Sequence, residues 1–150
     1  MPHTYSACLV HCVFSTKERR NIITPEMRGR LFAYMAGVAR GNGIGAVAVG
    51  GTRNHVHLLL DVPPTVNASK AMQLIKGRSS RWIHETFPSQ AGFEWQEAYG
   101  AFSIGTSQVA RTVDYIERQE EHHASRPFED EFLAILRKHK IDHDPQHAWG

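Results

Sequence analysis

The chain has 150 residues, 41% hydrophobic and 21% charged, and a formal net charge of +2 with the histidines neutral. This length fits a single domain spanning 1–150 with a packed core, and the small net charge does not indicate a general polyanion-binding surface. No apolar run approaches the roughly 18 residues of a membrane helix and no secretory signal opens the chain, so we expect a cytoplasmic protein without a membrane partner.

Local signals in the sequence mark alternating strands and helices. Runs of β-branched and aromatic residues bounded by turn residues indicate strands, whereas apolar residues at three- to four-residue spacing indicate helices. Thr24, Pro25 and Glu26 supply an N-cap, a proline at the first helical position and an acid in the first turn. The predicted elements are a strand at 5–16, a helix at 25–40, a hairpin of strands at 44–52 and 55–62, a helix at 68–85, a strand at 98–105, a helix from a cap at Thr106 or Ser107 through 121, and a helix at 128–140.

The predicted order β-α-β-β-α-β is that of a ferredoxin-like antiparallel sheet, an α+β fold, here with added C-terminal helices. In this arrangement the two central helices cover one face of the sheet. We therefore expect the other face to remain open for a ligand, a partner or a second copy of the chain.

Two histidines, His55 and His57, share one face of the third predicted strand, because residues two apart on a strand point the same way. Val56 and its alternate neighbours form the natural core face. The Cα atoms of the histidines should lie roughly 6–7 Å apart, a spacing that lets both imidazoles bind one metal ion. The same pair on a strand is also compatible with an incidental placement, and spacing alone does not identify a third ligand.

Tyr115 and Gln119 lie four residues apart in the predicted helix at 111–123, so their side chains lie on one helical face. This face is adjacent to the core face, and ordinary packing or surface exposure explains it equally well. His122 and His123 follow about one turn later, where the pattern favours a solvent-exposed helix end over an approach to a metal or to DNA.

Three segments, NHVHLLLD, WQEAYGAFSI and VDYIERQEEHH, occur in this order. Together they resemble the single-tyrosine HUH transposases of the IS200/IS605 type, and the resemblance extends from FSTKERRNII to FEDEFLAIL. It implies that His55 and His57 are metal ligands, that Tyr115 is the nucleophile, and that Gln119 completes the metal site.

The resemblance also implies a substrate, a cofactor and an assembly. The substrate is single-stranded DNA with hairpin ends, cleaved with Mg²⁺ or Mn²⁺ through a 5′-phosphotyrosine, so the protein should associate with the nucleoid. The assembly is a homodimer with shared active sites, and Gly105 could be a hinge for the tyrosine helix or a plain turn. The basic residues that we predict to contact DNA are Lys17, Arg19, Arg20, Lys76, Arg78 and Arg81.

Three alternatives remain open at this stage. A domesticated relative would perform the same chemistry on dispersed genomic hairpins. A non-catalytic module would bind single-stranded nucleic acid on the ferredoxin-like sheet, with His55 and His57 only forming hydrogen bonds. A metal-dependent hydrolase would use the histidine pair to activate water, and Tyr115 would then take no part in the chemistry.

Overall fold

The computed structural model describes residues 5–123 and 126–143, apart from the side chain of His122. Single 3₁₀ turns occur at Lys17–Arg19, Pro88–Gln90 and Thr106–Gln108. Among the described residues, no helix has the length and apolar character needed to cross a bilayer. The regular elements are β1 (Leu9–Ser15), α1 (Pro25–Gly41), β2 (Gly45–Gly51), β3 (His55–Asp61), α2 (Ala68–Thr86), β4 (Gly100–Ser103), α3 (Val109–Glu117), α4 (Gln119–His122) and α5 (Phe128–Lys138).

The four strands form one antiparallel sheet in the order β2-β3-β1-β4, which confirms the predicted ferredoxin-like α+β fold. The histidine-bearing strand β3 therefore lies inside the sheet, paired with β2 on one side and β1 on the other. Directly opposed residues of antiparallel strands share a face, so Val13 lies beside His57 and Ser15 beside His55.

The first face of the sheet packs against α1 and α2 and forms the largest apolar cluster. Both helices begin where the sequence predicts: Thr24 accepts a hydrogen bond from the backbone N–H of Met27, and Asn67 accepts one from Lys70. The strand residues of this face are Val10, Cys12, Phe14, Val56, Leu58 and Leu60.

The second face of the sheet is covered as well, which corrects the expectation of an open face. Ile116 of α3 packs with Leu9, Ala48 and Leu59. Val13 and Phe102 of the same face contact an apolar stripe of α5, which consists of Phe128, Phe132 and Leu136. The C-terminal helices fold back because their apolar faces would otherwise remain in water. His55 and His57 consequently lie between two layers of structure.

The helix predicted through residue 121 is divided, which is a second correction. Thr106 and Ser107 belong to a 3₁₀ turn, where the side chain of Gln108 accepts a hydrogen bond from the backbone N–H of Gly105, and α3 begins only at Val109. Arg118 leaves the helical region at φ −103° and ψ 24°, and the short α4 follows. The strands β1 and β4 are also shorter than predicted, by up to four residues at one end.

Candidate functional site

The two histidines of β3 are fully buried, and their ring centroids lie 5.1 Å apart. Nδ1 of His55 lies 2.8 Å from Oδ1 of Asn54 and 2.9 Å from Oγ1 of Thr52. The amide oxygen of Asn54 only accepts hydrogen bonds, so it favours a proton on Nδ1 of His55. This tautomer directs the lone pair of Nε2 into the space beneath α5, as it would for a metal ligand.

The Nδ1 atom of His57 also has a hydrogen-bond partner, a residue that was not identified from the sequence. This atom lies 2.8 Å from Nε2 of His11, on the neighbouring strand β1. Burial, followed by the proximity of His57, lowers the pKa of His11 to about 3, so His11 is neutral at physiological pH. A neutral His11 can accept a hydrogen bond from Nδ1–H of His57, which leaves Nε2 of His57 available as a ligand. No pattern in the sequence reveals this contact, because it depends on the register between β1 and β3.

Gln119, the predicted third ligand, lies at this site. Its Oε1 is 2.8 Å from Nε2 of His55, and its amide nitrogen donates to the carbonyl oxygen of Tyr115. Only 1% of Gln119 is exposed. When the proton of His55 is on Nδ1, two lone pairs face each other across 2.8 Å. In the other tautomer Nε2–H of His55 would donate to Oε1 of Gln119, whereas with the proton on Nδ1 a cation bound by both atoms would offset the repulsion of their lone pairs.

Tyr115, the predicted nucleophile, is half-buried on α3, and its ring centroid lies 5.7 Å from that of His57. Its hydroxyl donates a hydrogen bond to Oε2 of Glu131. Burial raises the pKa of Tyr115, and the carboxylate of Glu131 raises it further. The phenol therefore remains protonated at neutral pH and must lose its proton when it reacts.

Glu131 of α5 is the principal site residue that the sequence analysis missed. Oε1 of Glu131 lies 3.0 Å from Nε2 of His57 and 3.5 Å from Nε2 of His55. Burial by itself would raise the pKa of Glu131, but the neighbouring histidines, His57 first, hold the pKa below its usual range. Glu131 belongs to the acidic run FEDE, which is typical of a solvated face. Its position three residues after Phe128 was the available signal that it shares the apolar face.

His123 lies against the same carboxylate, which corrects the expectation of an exposed helix end. Its Nε2 is 3.0 Å from Oε1 of Glu131, and 11% of its side chain is exposed. This buried nitrogen makes no hydrogen bond of acceptable geometry among the described residues. Its ring centroid lies 4.4 Å from that of His55. The side chain of His122 falls outside the described part of the structure.

The donor set fits a divalent cation. One donor atom each from His55, His57 and Glu131 lie within 4.8 Å of one another, and all three residues are buried. Burial, with a contribution from His57, lowers the pKa of His55 to about 3, so this imidazole is neutral at physiological pH, as a metal ligand has to be. Imidazole nitrogens combined with carboxylate and amide oxygens suit Mn²⁺, and Mg²⁺ accepts such oxygens. A buried carboxylate also favours a positive partner.

Two cavities reach this site from different sides. The larger, of about 630 Å³, is lined by His123 and Phe128 and by four arginines: Arg19, Arg28, Arg53 and Arg126. The smaller, of about 240 Å³, is lined by Tyr115, Glu131 and His11 and by the cations Arg111, Arg126 and Lys138. The larger cavity is also lined by Glu18, Glu120 and Glu129, which leave it a small positive excess, and the smaller cavity has three cations against Glu131 alone. Both could admit an anionic chain.

The six basic residues predicted to contact DNA are dispersed over the structure. Arg19 lies on the larger cavity, 3.7 Å from a carboxylate oxygen of Glu129. Lys17 pairs with Glu94, and Arg20 pairs with Glu18, both at the surface. These three residues follow β1 directly, which places them at one end of the sheet.

The other three predicted DNA contacts, Lys76, Arg78 and Arg81, lie on α2. Because α2 packs on the first face, the sheet separates this helix from the histidine site. The ammonium of Lys76 donates to three backbone carbonyls before β4, those of Gln96, Glu97 and Ala98. Burial lowers the pKa of Lys76 to about 8. Its contacts give it a structural role in the approach to β4.

Known proteins whose sequences resemble this chain include IS200 transposases. The sequence profile of the family described as "Transposase IS200 like" matches residues 4–119. The transposases for insertion sequence element IS200 of Salmonella typhimurium and Salmonella typhi are each 28% identical to this chain over 125 residues. The aligned segments cover 79% of this chain and 81% of each relative.

Two solved structures share the fold. A Deinococcus radiodurans R1 protein, assigned as a candidate transposase, superposes with a TM-score of 0.64 at 26% identity over 79% of this chain and 96% of its own. A REP-associated tyrosine transposase bound to a REP hairpin gives a TM-score of 0.60 over 82% of this chain and 73% of its own. Its 17% identity makes this second likeness one of fold alone.

Proposed function

Because the chain belongs to the IS200-like transposase family, we propose that it nicks and rejoins single-stranded DNA at insertion-element ends. The observation that carries this proposal is the proximity of Tyr115 to a buried group of metal donors. A tyrosine hydroxyl beside such donors supports nucleophilic attack on a phosphate. The reaction would pass through a covalent 5′-phosphotyrosine.

His55, His57 and Gln119 are the residues that we propose as metal ligands. Asn54 and His11 fix the orientation of the two imidazoles. The hydrogen bond from the side-chain amide of Gln119 to the carbonyl oxygen of Tyr115 fixes the orientation of Gln119. When bound, Mg²⁺ or Mn²⁺ neutralises charge on the non-bridging phosphate oxygens during the displacement. We expect Mn²⁺ to bind more tightly in vitro, because it accepts nitrogen ligands more readily than Mg²⁺ does.

Tyr115 carries out the covalent step. Its phenolic oxygen bonds to phosphorus as the bond from phosphorus to the 3′-oxygen breaks. The phenolic proton passes, directly or through solvent, to the departing 3′-oxygen, which leaves as a hydroxyl. The new link conserves the phosphodiester, so a 3′-hydroxyl can attack it and join strands without ATP.

The proposed partner is single-stranded DNA with hairpin ends. The arginines of the two cavities support this proposal, because phosphate contacts supply most of the affinity for nucleic acid. Among the residues predicted from sequence, Arg19 is the contact best supported by position.

We also propose a homodimer with shared sites, in which α3 moves from its own chain to that of its partner. In the described chain, Tyr115 lies at its own metal donors.

The alternatives differ in what Tyr115 does. A hydrolase or a non-catalytic binding module does not require a tyrosine beside the proposed metal donors, whereas strand transfer does. The hydrogen bond from Tyr115 to Glu131 therefore favours strand transfer. A domesticated relative would perform the same chemistry on genomic hairpins, and the sequence of the DNA that it cleaves would distinguish it from a mobile element's enzyme.

A denaturing gel tests the proposal. Labelled single-stranded DNA carrying an element end, incubated with protein and Mn²⁺, should yield a protein–DNA adduct that is absent with Tyr115→Phe. Tyr34→Phe is a matched control, because Tyr34 stacks on Trp82 on the opposite face of the sheet. Absence of adduct with every end sequence would reject the transposase function, and cleaved DNA without adduct would indicate a hydrolase.

A further inference from the structure

Glu131 lies outside the segment that matches the family, which ends at residue 119, yet its side chain occupies the centre of the site. The acidic neighbour Glu129 has 42% of its side chain exposed, whereas only 3% of the Glu131 side chain is exposed. Phe128 and Phe132 anchor this turn of α5 on the sheet. The fold therefore places one carboxylate of an acidic run in the interior.

Oxygen Oε1 of Glu131 faces the histidines. It lies 3.0 Å from Nε2 of His57 and of His123, and 3.5 Å from Nε2 of His55. Adjacent donors on an octahedral ion with bonds of about 2.1 Å lie about 3 Å apart. The separations around Oε1 fit donors that share one ion, and 3.0 Å is equally the length of the hydrogen bond between His57 and Glu131 when no ion is bound.

The second oxygen, Oε2, accepts the hydrogen bond from the hydroxyl of Tyr115. The two oxygens of one carboxylate thus face different parts of the site, the metal donors and the nucleophile. Since the Glu131 side chain is buried and anchored through α5, it can hold the tyrosine hydroxyl at a fixed position relative to the donors.

We propose that Glu131 is a further metal ligand through Oε1 and a positioning residue for Tyr115 through Oε2. This inference rests on the proposed function. His55, His57 and Gln119 form a neutral ligand set, and a carboxylate adds a negative, hard oxygen that favours Mn²⁺ and Mg²⁺. The helix α5, beyond the part of the chain matched by the family, thereby contributes to the same site as the sheet.

Binding of Mn²⁺ alone tests the ligand role, measured by the loss of the free-ion EPR signal. Glu131→Gln should weaken Mn²⁺ binding at least about tenfold, because it removes a charged ligand. Glu129→Gln, two residues away on the same helix, should leave the affinity within about twofold. Circular dichroism of each variant checks folding, and Glu131→Asp, which keeps the charge, should bind more tightly than Glu131→Gln.

Adduct formation tests the positioning role at Mn²⁺ concentrations that saturate each variant. At DNA concentrations that also saturate each variant, Glu131→Gln should then form adduct more slowly. The DNA affinity that fixes these concentrations is measured with Tyr115→Phe in the background, where no adduct forms. Unchanged Mn²⁺ affinity in Glu131→Gln would overturn the ligand role. An equal or faster rate of adduct formation in this variant would overturn the positioning role.

The His57→Ala variant distinguishes a wrong role for Glu131 from a wrong assignment of the transposase chemistry. Mn²⁺ binding that depends on His57 and not on Glu131 would refute the inference and leave the proposed function intact. Mn²⁺ binding that depends on both residues, without adduct from any strand, would support Glu131 as a ligand and reject the transposase chemistry. Binding that depends on neither residue would reject the metal site as a whole.

Discussion

At the scale of single residues, the site is defined by which ring nitrogen of each histidine is already engaged. Asn54 and His11 hold the Nδ1 atoms of His55 and His57, so both Nε2 atoms point into the same buried space. Local polar contacts of this kind determine whether an imidazole can bind a metal. The chemistry of the pair therefore depends on two neighbours that carry out no reaction themselves.

His11 gives the first prediction. His11→Leu removes the acceptor for Nδ1–H of His57 and should weaken Mn²⁺ binding by about 10- to 100-fold, as for other residues that orient metal-binding histidines. His11→Gln keeps an acceptor oxygen and should retain most of the affinity. Titration with Mn²⁺ checks both variants. Equal affinity in His11→Leu and the wild type would show that His57 needs no such support.

The pH dependence of stability gives the second prediction, for the metal-free protein. Burial first, and then His57, lowers the pKa values of His11 and His55 from 6.5 to about 3. Between these values the unfolded chain binds protons that the folded chain excludes, so the free energy of unfolding should fall as the pH decreases. The lowered pKa of Glu131 acts in the same direction below its ordinary value of 4.5.

Thermal unfolding between about pH 4 and pH 8 measures this effect. The Tm should decrease on acidification, and His11→Leu should reduce the slope because one of the two imidazoles whose pKa is lowered to about 3 is absent. A Tm that increases as the pH falls from about 6.5 to about 4 is the opposite of what these pKa values predict.

The resemblance to the transposase family predicted the site residues, and local patterns alone gave only the faces that they share. His55 and His57 alternate on a strand, and Tyr115 and Gln119 are one helical turn apart, so their shared faces followed from spacing. The structure brings all four together, while their catalytic roles remain predictions. Glu131 had only its spacing from Phe128 as a signal, and His123 had none, because the burial of both depends on how α5 packs against the sheet.

At the scale of elements, the site depends on how closely α3 approaches the sheet. Gly50 of β2 lies against the backbone of Ile116, and a Cβ atom at this position would clash with the carbonyl oxygen of Ile116 and lie 2.9 Å from its Cγ2. The absence of a side chain at Gly50 therefore allows α3, which carries Tyr115, to pack directly on β2.

Gly50→Ala gives the third prediction. The added methyl group should displace α3 and destabilise the fold by about 1–3 kcal/mol, with slower adduct formation as Tyr115 shifts. Gly77→Ala is the matched control, since a Cβ atom at Gly77 meets nothing within 4 Å. In the interior of α2, alanine should stabilise by about 0.5–1 kcal/mol. Denaturant unfolding should thus show a lower free energy of unfolding for Gly50→Ala and a higher one for Gly77→Ala. Equal changes in the two variants would contradict this account.

The order of the elements was predictable from the sequence, but the second helical layer was not. The signals for strands and for helix caps are local, and they gave the ferredoxin-like order. The apolar stripe of Phe128, Phe132 and Leu136 predicted a helix with a buried face, without identifying its partner. That partner, Val13 with Phe102, comes from two strands that are far apart in the sequence.

At the scale of the whole molecule, complementation between two defective chains tests the proposed shared sites, and this is the fourth prediction. A Tyr115→Phe chain retains the metal donors, and a His57→Ala chain retains the nucleophile. Mixed together, they should form adduct on the His57→Ala chain if α3 moves between protomers. Each variant alone is the control. Failure to form adduct despite measured heterodimers would place the reaction within one chain, as Tyr115 lies in the described structure.

The proposed metal donors come from segments that are far apart in the sequence, and this separation has a consequence for the stability of the protein. His57 and Glu131 are 74 residues apart in sequence, and they join the inner sheet to the last described helix. An ion bound by both would be a reversible cross-link across the protein. At 100 times its dissociation constant, Mn²⁺ should stabilise the native state by about 2.7 kcal/mol, and a chelator should reverse the gain. A Tm that is independent of free Mn²⁺ would exclude this cross-link.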